Sequence, residues 1–500
     1  MRRAATLSGG AAKARGVGAR ANSPDAGPYS EAPFPVIALF CFYVVVWFLQ
    51  VGWRIPPLGK IRIELLIAVV LIVILFIYQP VQPKQHAVSP RGVKIAVSWL
   101  LVLLAIQVPL SANLELSWVV FVDRVLKFGF MAVFIAMFVR SPRDLRLFLA
   151  AFLVACGFIC QESFRGALSG AMVWQNQGVP RLHGDTPMFQ HPNSLAGLAT
   201  GVLPFVVYLF PLNIKLWVRA VLLAVALTAL GCVMYSGSRT AYVGVVAFIL
   251  FFVLTSKHKV KVSLILITLL PIVWVSLPDI YRERFETIFT GREIEGDSMG
   301  ARKQIMRDGI AVFSAHPLGV GVAAFPTVRK QMFGRQQDTH NLYLEVATNT
   351  GIQGLIAFLA FVGIMLRTLW KIKTRSEQEL ARLQDPGKDP TVKPVGRKAD
   401  RKKPPPELPP DVQALVTDLW LIRAAAMAVS GYIYIRLVLG FFGMDLYEIY
   451  WWIGLGMTIA LCTILTSALN HGSRLLSARG EKPELALKHP GNNANTSSHR

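Results

Sequence analysis

The segment LWVRAVLLAVALTALGCVMY, residues 216–235, decides the fold, because an apolar run of this length has the dimensions of a membrane-spanning helix. The chain of 500 residues is 53% hydrophobic and 16% charged, with a mean hydropathy of +0.47. This composition excludes an ordinary soluble protein and predicts an all-α, polytopic membrane protein. Apolar runs predict about twelve spans, near 35–52, 63–79, 94–111, 117–139, 145–162, 195–211, 216–235, 239–256, 260–278, 341–368, 414–442 and 447–467.

The net charge of +23 is best explained by orientation in the membrane. Cytoplasmic loops collect Lys and Arg, and alternate loops of this chain carry most of them, starting from a basic leader. The intervening loops at 111–116 and 443–446 carry none, and only the loop at 53–62 fits poorly. The pattern predicts that both termini are cytoplasmic, with attraction to anionic membrane lipid as a secondary effect and no nucleic-acid partner.

The predicted spans and the charge pattern together divide the chain into seven segments. The predicted segments are a disordered cytoplasmic leader (1–32), the first nine helices (33–278), a large periplasmic loop with an amphipathic helix (279–340), one helix (341–370), a cytoplasmic linker rich in Lys, Arg and Pro (371–413), the last two helices (414–467) and a disordered cytoplasmic tail (468–500).

Two outer segments are too polar to lie in lipid. In the loop at 279–340, Ile305, Met306, Ile310 and Phe313 recur at helical spacing. They predict a helix that lies along the membrane and packs on the bundle. The second segment, 163–194, contains Trp174, Arg181, His183 and His191-Pro192-Asn193.

Three side chains at the predicted outer ends of spans are the leading candidates for chemistry. Arg239 lies in Ser236-Gly237-Ser238-Arg239-Thr240-Ala241, Arg302 follows Met299-Gly300-Ala301, and His340 lies in Thr339-His340-Asn341-Leu342. Guanidinium groups suit phosphate oxygens, and a histidine can accept a proton near neutral pH. The alternatives are an Arg239 that snorkels to headgroups, an Arg302 on a solvated helix face, and a His340 that, with Asn341, only caps the next helix.

Charged residues inside predicted spans form a second group of candidates, since each charge near hydrocarbon costs about 2.5–3.5 kcal/mol on insertion scales. Asp123 and Lys127 are four residues apart and are predicted to pair, which would leave Arg124 to face a cavity. Arg436 lies one to two turns inside the outer end of its span.

Metal and cofactor motifs are not found in the sequence. It has no Asp-x-Asp pair, HExxH or nucleotide-binding glycine motif. The nearest acidic cluster, Glu293, Glu295 and Asp297, is expected to be a solvated loop face. We therefore predict no metal and no cofactor.

The ordered set of motifs resembles the O-antigen ligase/polymerase superfamily of bacterial inner-membrane glycosyltransferases. The set comprises Ser-Arg at a span end (Arg239), Arg302 ahead of His316-Pro317-Leu318-Gly319-Val320-Gly321, and His340-Asn341-x-x-Leu344 opening a span, with Gly351 following. The segment at His191-Pro192-Asn193 is similar to one that these proteins often carry. Two positions depart from the pattern: Asn349 replaces a common Glu and Met306 replaces a common Trp.

The resemblance implies a metal-independent, inverting glycosyltransferase with a C-type glycosyltransferase-like fold in the bacterial inner membrane. The implied donor is a glycan on undecaprenyl diphosphate, and the acceptor is lipid A core or a growing polysaccharide, in lipopolysaccharide or exopolysaccharide biosynthesis. In this reading His340 is the general base and Arg239 and Arg302 bind the diphosphate. Secondary site candidates are Arg124, Arg436, Arg181, His191 and Asn341.

Two other functions stay open from the sequence. A lipid-linked glycan flippase or transporter would also have many spans and intramembrane charges, although transporters usually show repeats and a midplane site. A protein O-oligosaccharyltransferase would use the same donor and a protein hydroxyl.

Overall fold

The structure is a computed structural model, and it describes residues 29–78, 83, 85–176, 178–276, 278–290, 298–384, 408–443 and 446–478. Within these residues the protein is almost entirely helical. In the first half the helices are α1 (Phe34–Leu49), α2 (Val51–Arg54), α3 (Pro56–Lys60), α4 (Ile63–Ile77), α5 (Arg91–Gln107), α6 (Leu114–Val120), a π-helical turn (Phe121–Leu126), α7 (Lys127–Phe138) and α8 (Pro142–Ser169).

A small antiparallel hairpin, β1 (Val173–Asn176) and β2 (Val179–Leu182), follows α8 and pairs Trp174 with Arg181. The remaining helices are α9 (Pro192–Leu209), α10 (Leu216–Tyr235), α11 (Arg239–Thr255), α12 (Lys259–Ser276), α13 (Asp279–Thr290), α14 (Ser298–Ala315), α15 (Phe325–Phe333), α16 (Leu342–Gln384), α17 (Pro410–Leu439) and α18 (Tyr450–Ala478).

Every predicted apolar run overlaps a helix. Among the described residues, six helices are long and apolar enough to cross a membrane, namely α8, α9, α10, α16, α17 and α18. Three shorter apolar helices are α1, α4 and α11. The protein is therefore mostly helical with six candidate spans, as expected of a helical membrane protein, and the count of about twelve spans stays a prediction.

Helix α17 lies at the centre of the bundle, where it contacts α9, α11, α16 and α18. Small residues allow this close packing. Its middle, 424–428, is buried and consists of alanine and one methionine. A Cβ atom on Gly201 of α9 would lie only 2.9 Å from the Tyr432 ring of α17.

One end of the bundle gathers the elements that the site uses. There α9 and α11 begin and α17 ends, and α16 starts with the Leu342 N–H donating to the Gly440 carbonyl at 2.6 Å. The contact between Arg436 of α17 and Gly197 of α9, 2.7 Å from Nη2 to the carbonyl oxygen, lies about one turn further in. We call this the site end.

Two helices extend past the predicted boundaries of the linker and the tail. Helix α16 continues to Gln384, so residues 371–384 are helical rather than linker, and α18 continues to Ala478. Helices can continue past the bilayer into water where one face stays packed, and Ile372, Leu380 and Leu383 are buried. Residues 385–407 and 479–500, the leader up to residue 28, Lys84 and the acidic cluster at 293–297 lie outside the described residues.

The predicted apolar stripe of the large loop is also partly wrong. The loop contains three helices, and in α14 the buried positions are Ile305, Asp308, Gly309 and Val312. Met306 and Ile310 are exposed, at 48% and 55%. The buried face of α14 differs from the predicted one because Asp308 points inward to an arginine partner, which is described below.

The loop at 53–62, which fitted the charge pattern poorly, contains a neutralised arginine. Arg54 binds Glu162 through two contacts of 2.6 Å and donates to the Leu49 carbonyl at 2.7 Å. The bidentate contact joins the loop at 53–62 to α8.

Candidate functional site

The motif at 316–321 is fixed against an interruption in α16. Gly351 has non-helical torsion angles (φ 74°, ψ −176°), and the interruption leaves the carbonyls of Thr348 and Asn349 to accept from the N–H groups of Val320 and Gly321, at 2.9 and 3.0 Å. A Cβ atom on Gly319 (φ 97°) would lie 2.7 Å from the backbone nitrogen of Gly351. The two glycines are needed for this close backbone contact.

The two residues that depart from the family pattern differ in burial. Asn349 is buried, and its Oδ1 accepts from the Phe325 N–H at 3.1 Å, so it joins α15 to α16. Met306 lies on the exposed side of α14. Neither residue contacts His340 in the hydrogen bonds of the described residues.

His340 is held in an unusual backbone conformation immediately before α16. Its φ is 47°, in the left-handed region, which costs about 1–3 kcal/mol for a residue other than glycine. The helix cap is Asn341, whose Oδ1 accepts from the Leu344 N–H at 3.0 Å, and Thr339 Oγ1 accepts from the Asn341 N–H at 3.4 Å. The capping role that the sequence left open for His340 therefore belongs to Asn341.

The surroundings of His340 favour its neutral form. Burial lowers the pKa of this half-buried imidazole, and the positive charges of Arg302 and Arg329 lower it further, while Asp338 acts in the opposite direction. The Gln337 side-chain nitrogen lies 3.4 Å from His340 Nε2. If the amide donates there, Nε2 carries a lone pair, as a proton acceptor must.

A second histidine belongs to the same region. His191 caps α9, with its Nδ1 accepting from the Asn193 N–H at 3.1 Å. Burial lowers the pKa of His191, and the positive charge of Arg181, and of His340 when it is protonated, lowers it further. His191 is thus coupled electrostatically to Arg181 and His340, and His340 to Arg302.

Arg181 joins the hairpin to the turn that precedes Arg239. Its Nε donates to the Ser236 carbonyl at 2.8 Å, and its Nη2 donates to Asn193 Oδ1 at 2.7 Å. The side chain is 4% exposed. Arg181 is therefore a positioning residue that fixes the turn at 236–238 next to the start of α9.

Arg239 is the first residue of α11 and is half-buried at the site end. Ser238 caps the helix through a contact of 3.4 Å from the Ala241 nitrogen to Ser238 Oγ. The N-terminus of a helix carries partial positive charge and favours anions. The guanidinium of Arg239 and this helix end thus add positive potential on the side of the site formed by Arg181.

Sequence reasoning missed a buried ion pair beneath His340. Arg329 of α15 contacts Asp308 Oδ2 with both Nε and Nη2 at 2.9 Å, and both side chains are 3% exposed. Gln304 donates to Asp308 Oδ1 at 2.8 Å. Asp308 lies three residues after the buried Ile305, on the same face of the helix. An acidic residue on an apolar helix face was the feature of the sequence that could have indicated this pair.

The remaining secondary candidates have other partners. Asp123 and Lys127 pair as predicted, and Arg124 contacts Glu448 at 2.9 Å. Arg436 is 2% exposed, and besides Gly197 it lies 3.2 Å from the centre of the Tyr450 ring. Arg436 joins three helices inside the bundle.

A search of the described residues for groups of three or more His, Cys, Asp or Glu side chains that could hold a metal ion finds none. The site is cationic and imidazole-rich, and preorganised donors of this kind stabilise anionic groups such as phosphates. A histidine held neutral beside such cations can accept a proton.

A family of known proteins matches part of the chain. Residues 223–359 match the family described as O-Antigen ligase, a range that includes Arg239, Arg302, the 316–321 motif and His340. The predicted resemblance to the O-antigen ligase/polymerase superfamily is confirmed by this match. A search of the curated proteins found no match to this chain.

Proposed function

We propose, from the O-antigen ligase match over residues 223–359, that this protein is an inner-membrane glycosyltransferase acting on undecaprenyl diphosphate-linked glycan. It transfers the glycan to an acceptor hydroxyl at the periplasmic face. The observation that carries the proposal is the half-buried imidazole of His340 directly before α16, whose pKa is lowered first by burial and further by the positive charge of Arg302. A cation suited to a diphosphate thus acts on a histidine whose neutral form is favoured.

The proposed reaction is a single displacement. The acceptor hydroxyl loses its proton to the imidazole of His340, and its oxygen forms a bond to the anomeric carbon of the donor sugar. The bond from that carbon to the diphosphate oxygen breaks, and its electron pair leaves with the diphosphate. Attack on the face opposite the leaving group inverts the configuration at the anomeric carbon.

Arg239 and Arg302 bind the diphosphate in this proposal. Its negative charge rises as the bond breaks, and fixed guanidinium donors stabilise that charge without reorganisation. The two arginines can therefore supply the charge stabilisation for which other enzymes use a metal ion. Arg181 positions the turn before Arg239 in this proposal, through its bond to the Ser236 carbonyl.

The test is transfer by purified protein with a lipid-linked glycan. We expect His340→Ala to lower the transfer rate about 10²–10⁴-fold while donor binding is retained, because a general base acts on the acceptor. Arg302→Gln should weaken donor binding. The matched controls are His258→Ala, at an exposed histidine between α11 and α12, and Arg307→Gln, at an exposed residue of α14. Wild-type transfer by His340→Ala, in protein that elutes and melts normally, would refute the mechanism.

The same assay separates transfer from transport. A flippase reconstituted in vesicles moves the donor across the membrane and releases no diphosphate, whereas the proposed enzyme forms a glycosylated product and diphosphate together. Movement of intact donor without product would assign the protein to transport.

The acceptor is addressed by deleting the gene and resolving the surface polysaccharide by size. Loss of all polymer bound to lipid A indicates a ligase, and a single repeat in place of a ladder indicates a polymerase. Unchanged polysaccharide with loss of glycan from protein Ser, Thr or Tyr hydroxyls indicates a protein O-oligosaccharyltransferase.

A further inference from the structure

A cavity of about 480 Å³ lies between α5, α7 and α18, away from the candidate site. Most of its lining is apolar, including Leu101, Ala136 and Trp452. From Trp452 to Thr463, both on its wall, α18 rises roughly 16 Å at 1.5 Å per residue. The cavity is thus a long apolar groove between helices, and we call it the lateral groove.

The lateral groove has a basic end, formed by His86 and Lys94 in its lining. This end is opposite the site end. Gln107, at the other end of α5, donates to the carbonyl of Leu318 in the 316–321 motif at 2.6 Å, whereas Lys94 is in the first turn of α5. Thr466, about halfway along α18, accepts from the Ala87 N–H at 3.0 Å and so fixes the segment that carries His86.

His86 presents an unused polar atom at this end. Its Nδ1 is buried and has no hydrogen-bond partner among the described residues. His86 and Lys94 line the cavity together, and burial with the positive charges of Lys94 and Arg140 lowers the pKa of His86. The nearby carboxylate of Asp144 accepts from the backbone N–H groups of Arg140 and Ser141 through Oδ2. The corner therefore has positive charge and an unpaired imidazole nitrogen.

An apolar groove that ends at basic side chains fits a lipid with an anionic head. Basic pockets between membrane helices on the cytoplasmic side are typical sites for anionic headgroups. The charge pattern of the loops assigns this end of the bundle to the cytoplasmic side. We infer that the lateral groove binds one anionic phospholipid of the inner leaflet, with an acyl chain along α7 and α18 and the phosphate at His86 and Lys94.

This site is separate from the proposed transfer reaction and does not rest on it. Its basic end lies at the opposite end of α5 from the loop that carries His340. A bound lipid here would stabilise the position of α5 relative to α7 and α18, since both walls of the groove then contact its chain.

The test is native mass spectrometry of the full-length protein in detergent, titrated with phosphatidylglycerol or with phosphatidylcholine of the same chains. We expect one phosphatidylglycerol to bind roughly tenfold more tightly than phosphatidylcholine. Lys94→Ala should weaken phosphatidylglycerol binding roughly fivefold, and Lys261→Ala, which removes an exposed lysine of α12, should not. Ala136→Phe fills the groove and should weaken both lipids, unlike Ala220→Phe on the exposed side of α10.

Three results would overturn the inference. Equal affinity for the two lipids would show that the head is not recognised. Unchanged phosphatidylglycerol binding by Lys94→Ala, an exposed change that should not affect folding, would remove the basic end from the site. Displacement of phosphatidylglycerol by undecaprenyl phosphate, with affinity unaffected at Lys94, would assign the groove to the isoprenoid tail instead.

Discussion

Replacement of Asp308 by alanine should loosen the large loop around His340. The Asp308–Arg329 pair joins α14 to α15, with both side chains 3% exposed. The variant would leave the guanidinium of Arg329 buried without a carboxylate. The other basic contact of Asp308, Arg335 at 3.5 Å, is also positive and cannot replace it. Removing one partner of a buried pair costs about 3–5 kcal/mol.

The destabilisation caused by Asp308→Ala can be measured through local opening of the α14–α15 unit. The pair forms only when α14 and α15 are docked, so the whole cost falls on the opening equilibrium of this unit. Since about 1.4 kcal/mol corresponds to a factor of ten, the amides of α15 and of residues 334–340 should exchange hydrogen roughly a hundredfold to several thousandfold faster. Hydrogen exchange with mass spectrometry on purified protein measures this change.

Two controls sharpen the measurement. Asp279→Ala removes a pair with Arg282 in which the aspartate side chain is 83% exposed, and it should change exchange less than about fivefold. The double variant Asp308→Leu with Arg329→Met should recover most of the protection, because apolar replacement of a buried pair is often neutral or stabilising. Less than a tenfold change in Asp308→Ala would refute the buried pair as the link between α14 and α15.

Arg302→Gln should raise the pKa of His340, because it removes a positive charge that disfavours protonation; the acid limb of the transfer rate should then move to higher pH, and an unmoved limb would separate the two residues. Arg239→Lys should lose most transfer activity although it keeps the charge, since an ammonium cannot make a two-pronged phosphate contact; near-normal activity would return Arg239 to lipid anchoring. Cysteine at position 336 should react with a periplasmic, membrane-impermeant thiol reagent and cysteine at 375 should not, since Gln336 and Arg375 are both exposed but are predicted to lie on opposite sides; the reverse pattern would overturn the topology. A chelator should leave transfer by the purified protein intact, and a loss restored by one metal would contradict the metal-independent mechanism.

The helices could be predicted from the sequence because the signal is local. A membrane helix satisfies its own backbone hydrogen bonds, and its length follows from the bilayer, so an apolar run such as 216–235 is sufficient evidence. The ends of α16 and α18 could not be found in this way. Past the bilayer a helix is maintained by burial of one face, and that depends on neighbours distant in sequence.

The leading site candidates were also found from the sequence, through the order of their motifs. Arg239, Arg302 and His340 lie in separate elements, and their roles in transfer stay predictions. Sequence reasoning could not separate His340 from a helix cap, because capping depends on backbone torsion angles. The structure assigns the cap to Asn341.

Pairing of charges is what only the tertiary structure decided. Arg124 and Glu448 are 324 residues apart, and Asp308 and Arg329 are 21 apart on different helices. A prediction from hydrophobicity alone assumes that every charged side chain faces solvent. It therefore assigned Met306 and Ile310 of α14 to the buried face and Asp308 to the exposed face, whereas the structure has the reverse. The sequence by itself determined which segments form apolar helices, because hydrophobicity is summed over neighbouring residues. Only the tertiary structure decided which charged side chains are buried among them, because a buried charge is stable only when it is paired and these partners are distant in sequence.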